Sequence, residues 1–254
     1  MENTYKTTEV AKIIGIHPNT VRLYEDLELI PKANRLSNGY RIFNDYHIEQ
    51  FNLVRTALKV EVLQNGLRKK IINIIKLSAK GEFEEAIICT NDYINQVKNE
   101  RRNAEEAIEI SKQLLLGIKN NESDMFLTRK QTAEYLNITI DTLRNWEMNG
   151  LLSIKRKENG YRVYTSSDIK KLKIIRTLRC ANYSLASILR MINAISNSSK
   201  VDIKEVINTP DNNEDIVTAF DKLLTSLNNA EKNANVILKQ LRFMNNRFNA
   251  NSPF

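Results

Sequence analysis

The sequence predicts a mainly α fold in which two winged helix-turn-helix heads are each followed by a long coiled-coil helix, the two long helices pairing antiparallel. Three observations predict it. A block near the N-terminus recurs in the second half of the chain. Each copy reads as a helix, a tight turn, a second helix and an Asn-Gly hairpin, and an apolar seam at coiled-coil spacing follows each copy.

The repeat is ordered along its length. Val10–Glu25 aligns without gaps on Thr132–Glu147, at an offset of 122. After a one-residue deletion, Asn38-Gly39-Tyr40-Arg41-Ile42-Phe43 matches Asn159-Gly160-Tyr161-Arg162-Val163-Tyr164, and Val54-Arg55-Thr56 matches Ile175-Arg176-Thr177. In the first copy Val10, Ala11 and Ile14 form an apolar stripe, Gly15 ends that helix, and Pro18 suits the first position of the next. The second copy has Asn137 in place of the glycine and Thr139 as an N-cap. The Asn-Gly pairs, flanked by short alternating segments, predict two-stranded wings. A third helix is expected from Asp45 or Ser166 through Arg55 or Arg176, and a fourth to about Leu77 or Ile195.

Beyond each head the apolar spacing alternates between four and three. The first seam is Phe83, Ile87, Thr90, Ile94, Val97, Arg101, Ala104, Ile108, Ser111, Leu115 and Ile118; the second is Ile216, Phe220, Leu223, Leu227, Ala230, Ala234, Ile237, Leu241, Met244 and Phe248. Such a seam is a coiled-coil signal, and polar positions within it, Thr90 and Arg101, are candidates for fixing register. The resulting division is a first head over 1–80, a first long helix over 81–119, a linker over 120–125, a second head over 126–200, and a second long helix with a tail over 201–254.

Composition narrows the function classes. With 42% apolar and 27% charged residues in 254, the chain can bury a core, and 7 Gly with 4 Pro argue against a collagen-like or turn-dense chain. No stretch approaches the ~18 apolar residues of a membrane span, and Met1–Lys12 lacks the apolar core of a signal peptide. A bacterial cytoplasmic, nucleoid-associated location is expected. Cys89 and Cys180 stand far apart, and His17 and His47 are the only histidines, so no disulfide framework, metal-ligand spacing, catalytic group or cofactor is expected. The chain reads as a non-enzyme.

Net charge is +8, and it is unevenly placed. Tyr5–Lys80 carries 13 Lys+Arg against 7 Asp+Glu, and Phe126–Lys200 carries 14 against 5, whereas Gly81–Lys119 and Val201–Phe254 are slightly acidic. Positive charge therefore falls on the two repeated blocks, as binding to a phosphate backbone requires.

Thr20-Val21-Arg22-Leu23-Tyr24-Glu25 and Thr142-Leu143-Arg144-Asn145-Trp146-Glu147, each followed by Asn-Gly-Tyr-Arg and an aromatic residue, resemble the motifs of the MerR family of bacterial transcription regulators. The resemblance covers nearly the whole chain, in tandem, duplicated form. It implies sequence-specific double-stranded DNA binding, with promoter DNA bent or untwisted between two heads at either end of an antiparallel coiled coil. An architectural DNA-binding protein, for recombination directionality or segregation, is the alternative.

The residues fit these roles physically. Arg22 and Arg144, in the first turns of the second helices, can reach a guanine edge or a phosphate. Thr20 and Thr142 offer hydroxyls to phosphate. The resemblance assigns Tyr24 to a backbone contact, and Trp146 replaces it as an N–H donor, with a core aromatic as the alternative. Tyr40, Arg41, Tyr161 and Arg162 follow the wing turns; the arginines are expected on phosphate and the tyrosines there or in wing packing. Lys155, Arg156 and Lys157 form a wing-side basic run, read as phosphate contact or as a solvated face. Pro18 with Asn19, and Ile140 with Asp141, face the groove, so the two heads should prefer different bases and an asymmetric pseudo-palindromic site. Glu25 and Glu147 are expected to pair with an arginine inside each head. Neither long helix ends in a cysteine, which argues against thiolate metal sensing or iron–sulfur sensing. No separate effector domain is recognised. A small hydrophobic effector near Tyr93, Phe220 or Phe243 and RNA polymerase are further partner candidates, and a single-chain pseudo-dimer is favoured over a homodimer.

Overall fold

The structure, a computed structural model, describes residues 3–59, 66–118, 126–154, 162–197, 202–210 and 222–249. The chain divides into two compact units, the first made of Met1–Lys98 with Leu227–Phe254 and the second of Asn99–Ser226.

The first unit opens with strand β1 (Thr4–Lys6), then α1 (Thr7–Ile14) and α2 (Pro18–Asp26). Glu9 turns back to accept from the Lys6 N–H at 2.7 Å, which satisfies one donor at the start of α1. Gly15 ends α1 at φ +70°, a left-handed cap that glycine adopts without a Cβ penalty. His17 Nδ1 then accepts from the Asn19 N–H at 3.2 Å, and Pro18 takes the first helical position. Strands β2 (Asn34–Arg35) and β3 (Arg41–Asn44) form the hairpin. Its turn centres on Ser37-Asn38: the Gly39 N–H donates to the Leu36 carbonyl at 2.8 Å, and Gly39 stands at φ +81° while Asn38 does not take a positive φ. This is the three-residue loop with a left-handed glycine, in which the Asn-Gly pair spans a turn and a bulge. β1 joins the other edge of β3, giving the order β1-β3-β2; the hydrophobic pattern had not indicated that strand.

Helices α3 (Asp45–Ala57) and α4 (Leu67–Ala79) complete the core beside the sheet. Phe43, Phe51, Val54, Leu67, Ile74 and Ile75 are fully buried there. A buried Gln50 ties these elements together, its amide donating to the carbonyls of Leu29 at 2.9 Å and Ile75 at 3.0 Å and accepting from Ser78 at 2.7 Å. Each group of the side chain is thereby satisfied, as burial requires.

Helix α5 (Phe83–Ile118) runs from the first unit into the second. The second unit pairs β4 (Phe126–Thr128) antiparallel with β5 (Val163–Thr165), and carries α6 (Arg129–Leu136), α7 (Ile140–Met148), α8 (Ser166–Cys180) and α9 (Leu185–Asn197). Its local chemistry follows the first unit. Asn137 ends α6 at φ +50°, and Thr139 Oγ1 accepts from the Thr142 N–H at 3.0 Å to cap α7. Thr165 and Asp168 make a reciprocal cap at the start of α8, where the first unit has Asn44 and His47. After α7, Gly150 stands at φ +77°, and the aligned Glu28 takes the same left-handed conformation at φ +58°. A short helix, α10 (Ile203–Asn208), which the seam pattern did not reveal, packs on α9, where Arg190 donates to the carbonyls of Val206 at 3.2 Å and Ile207 at 3.4 Å.

The last helix, α11 (Leu223–Met244), continues as a π-helical turn over Asn245–Asn249. Its described seam positions Leu223, Leu227, Ala230, Ala234, Ile237, Leu241 and Met244 are each 3% exposed or less; Ile216 and Phe220 lie outside the described residues. On α5 the expected positions Phe83, Thr90, Ile94, Val97, Ala104, Ile108 and Ser111 are buried, and so are Ala86, Tyr93 and Ala107 beside them. Within the first unit, Lys98 Nζ lies 3.9 Å from Glu231, and Tyr46 touches the rings of both Phe83 and Phe248. Thr90 donates to the Ala86 carbonyl at 2.6 Å and Ser111 to that of Ala107 at 2.7 Å, so each hydroxyl is satisfied within its own helix.

Candidate nucleic-acid interface

The structure places the expected reading residues on one helix in each unit. Arg22 and Asn19 are exposed on α2, and Arg22 donates to the Asn19 amide oxygen at 3.1 Å, one turn earlier. Pro18 and Thr20 are half-buried beside them. On α7, Ile140, Asp141 and Arg144 are exposed, whereas the Thr142 hydroxyl shares a 2.8 Å hydrogen bond with Thr139 at the cap. Tyr24 is half-buried and stacks on Phe51 at 5.9 Å. Trp146 departs from the expectation of a backbone contact: at 4% exposure its ring belongs to the core of the second unit, the alternative reading for this residue. Tyr40 stands on the wing at 70% exposure. Lys155, Arg156, Lys157 and Tyr161, with the second Asn-Gly, lie outside the described residues.

The carboxylates at the ends of the reading helices hold the wing arginines. Arg41 Nε lies 2.5 Å from Glu25 Oε2, and the other oxygen of Glu25 accepts from the Ala33 N–H at 3.0 Å. In the second unit Glu147 Oε2 receives Arg162 Nε at 3.1 Å and Arg129 at 2.6 Å, while the Tyr164 hydroxyl donates to its other oxygen. Glu25 and Glu147 therefore pair with arginines inside their units as expected. Arg41 and Arg162, expected on phosphate, are fixed by these bonds, each with its side chain about one-third exposed or less. A guanidinium has five N–H donors in a fixed fork, so anchoring through Nε still leaves the terminal nitrogens pointing along a defined direction. Burial and then the bond to Glu147 push the Tyr164 hydroxyl up to about 12, so it remains protonated and a donor near neutral pH.

Matching clefts open beside these locks. In the first unit Lys6, Thr7, Arg22, Asn38, Tyr40 and Arg41 contribute to a cleft of about 400 Å³ between α1, α2 and the wing. In the second, Arg129, Arg144, Ser153 and Arg162 contribute to one of about 470 Å³. A further groove of about 620 Å³ is lined by Asp141, Thr142 and Asn145 of α7 and by Arg176, Arg179 and Cys180 of α8. The sequence reading missed Arg129, Arg176 and Arg179 as members of these clefts, and Tyr164 as the buried hydroxyl behind one of them. Arg176 was within reach of it, since it is the repeat partner of Arg55. Arg129 and Tyr164 were not, because the first copy has Thr7 and Phe43 at those places and a comparison of the copies weights only what they share.

Residues 6–43 match the model of the MerR family regulatory protein, and residues 127–195 match that of the MerR HTH family regulatory protein. Both matches are to models of MerR-type regulators. The chain is also similar to named regulators. The HTH-type transcriptional regulator ZntR of Escherichia coli (strain K12) is 36% identical over 63 residues, 24% of this chain and 45% of that protein. CueR of Yersinia pestis is 38% identical over 53 residues, covering 21% and 38% of the two chains. The mercuric resistance operon regulatory protein of Bacillus cereus is 23% identical over 100 residues, 39% of this chain and 76% of that one. This chain thus spans less than half the length of the first two relatives. No solved structure matches it. Among the described residues no group of three or more His, Cys, Asp or Glu could hold a metal ion, and no described helix is long and apolar enough to cross a membrane.

Proposed function

We propose that the chain is a transcription regulator that binds double-stranded DNA through two non-identical winged helix-turn-helix heads in one polypeptide. The observation that carries this reading is the recurrence, in two MerR-type segments, of one arrangement: a left-handed turn, a capped reading helix with an exposed arginine, Arg22 or Arg144, and a terminal glutamate locked to the arginine of the wing strand. A helix of this kind fits the major groove with its early residues against base edges, and the anchored wing arginines lie where phosphates flank it. The concentration of positive charge in the same two blocks supports the same reading.

We propose further that α11 pairs antiparallel with α5, and that the chain bends or untwists promoter DNA for RNA polymerase. The approach of Lys98 to Glu231, with Phe83 and Phe248 both against Tyr46, supports that direction of pairing, because residue numbers rise along one helix as they fall along the other. In this arrangement one chain provides both heads, and the operator is an asymmetric pseudo-palindrome. Selecting duplexes from a random pool with the full chain, then footprinting the winners and a promoter that contains them, tests the reading. Protected half-sites of different sequence about one helical turn or a multiple apart are expected. Failure to enrich any duplex, or binding indifferent to salt, overturns it.

A further inference from the structure

We infer that the cleft lined by Arg129, Arg144 and Arg162 is an additional seat for a DNA backbone phosphate, built into the second unit and lacking its key cation in the first. The inference rests on the DNA-binding reading and deepens it by assigning a new contact, Arg129, to one head. Three guanidinium groups line one cleft of about 470 Å³, together with Ser153. The carboxylate among them is already spent: Glu147 carries one negative charge and receives Arg129 at 2.6 Å, Arg162 at 3.1 Å and the Tyr164 hydroxyl. Two cations share one anion, and Arg144 adds a third, so the cleft keeps positive charge after its internal pairing.

The aligned site in the first unit shows what is specific here. Thr7 takes the place of Arg129, and Phe43, fully buried, takes the place of Tyr164. There, among the described residues, one arginine, Arg41, meets Glu25, whose second oxygen is satisfied by a backbone N–H. The two exchanges belong together. The Tyr164 hydroxyl occupies the second oxygen of Glu147 and also accepts from Arg129 Nε at 3.4 Å, which lets two arginines sit at one carboxylate with fixed orientations. A planar donor fork held in this way matches a phosphate oxygen pair, and the single negative charge of a phosphodiester balances the positive charge left in the cleft.

The test uses the full chain and a duplex enriched from the random pool, with affinity measured from about 0.05 to 0.3 M salt. Arg129→Thr, the residue the first unit carries, should weaken binding about tenfold and make the log–log salt slope shallower by about one. Tyr164→Phe should lower thermal stability and leave the slope unchanged, since the cation remains. Arg129→Gln keeps the stem and a hydrogen bond to Glu147 and should change the slope as the threonine does, which preserves the test if Arg129→Thr folds poorly. A folded Arg129→Gln with the wild-type slope overturns the inference and leaves the DNA-binding reading intact. A wild-type chain that binds no duplex overturns both.

Discussion

Arginines in these units divide between those exposed on a helix and those that brace a carboxylate, and the division is visible in their partners. Arg22 and Arg144 are exposed on their helices, so Arg22→Ala and Arg144→Ala should each cost about 1–3 kcal/mol of DNA affinity and relax preference in one half-site only. A uniform loss over all sequences would make them phosphate contacts instead. Arg41 is different, because removing it leaves the Glu25 carboxylate, 10% exposed, without its cation. Arg41→Ala should therefore destabilise the first unit by about 3 kcal/mol, seen as a lower thermal midpoint before any DNA is added. The expectation from sequence was a loss of DNA contact alone; the lock to Glu25 couples that loss to folding.

At the scale of an element, the helix ends carry the testable chemistry. Gly15 holds the left-handed turn on which the angle between α1 and α2 depends, and Gly15→Ala should cost about 1 kcal/mol although a Cβ would meet no atom within 4 Å. Asn137 at the aligned position shows that a side chain able to bond locally reduces that cost. The start of α3 carries a pH dependence. His47 is buried at the third helical position, its Nδ1 lying 3.2 Å from the Asn44 backbone nitrogen and 2.5 Å from the Asn44 side-chain oxygen. Burial lowers its pKa below the usual 6.5, so the folded state holds the neutral ring while the unfolded chain takes up the proton. Stability from this group is present above the unfolded pKa and is lost as pH falls through it. Thermal midpoints should drop between about pH 7 and 5 in the wild type, and the drop should shrink in His47→Gln. An equal drop in both would place the sensitivity elsewhere.

For the whole molecule, the proposed pairing of α5 with α11 predicts that one chain suffices for one operator. Light scattering at micromolar concentration should return a species near 29.4 kDa, and titration should give one chain per site. A stable species at twice that mass with two chains per site would replace the single-chain arrangement by a four-headed one. Intramolecular pairing avoids the association cost that separate subunits meet, and it frees the two reading surfaces from the identity that two-fold symmetry imposes. Asn19 against Asp141, and Thr7 against Arg129, are differences of the kind that freedom permits.

Local chemistry was legible in the sequence. The left-handed turns at Gly15 and Asn137, the helix starts at Pro18 and at the Thr139 cap, and the seam from Leu223 to Met244 follow from preferences that act over a few residues: φ freedom, a fixed proline φ, a hydroxyl one turn from an N–H, and the 3.6-residue period. The pairing of Glu25 and Glu147 with arginines was legible too, because a carboxylate facing phosphate is penalised. What the sequence left open depends on partners far apart in the chain. β1 lies on β3 only because the sheet edge is there to receive it, and Trp146 is buried rather than surface-facing because the surrounding core takes up its ring. Thr90 and Ser111 bond within their own helix, which only backbone geometry reveals. The choice of which arginine stays exposed and which braces is set in three dimensions: a guanidinium is fixed by the carboxylate that stands 2.5 to 3.1 Å from it, and sequence spacing does not encode that distance for residues 15 or more positions apart.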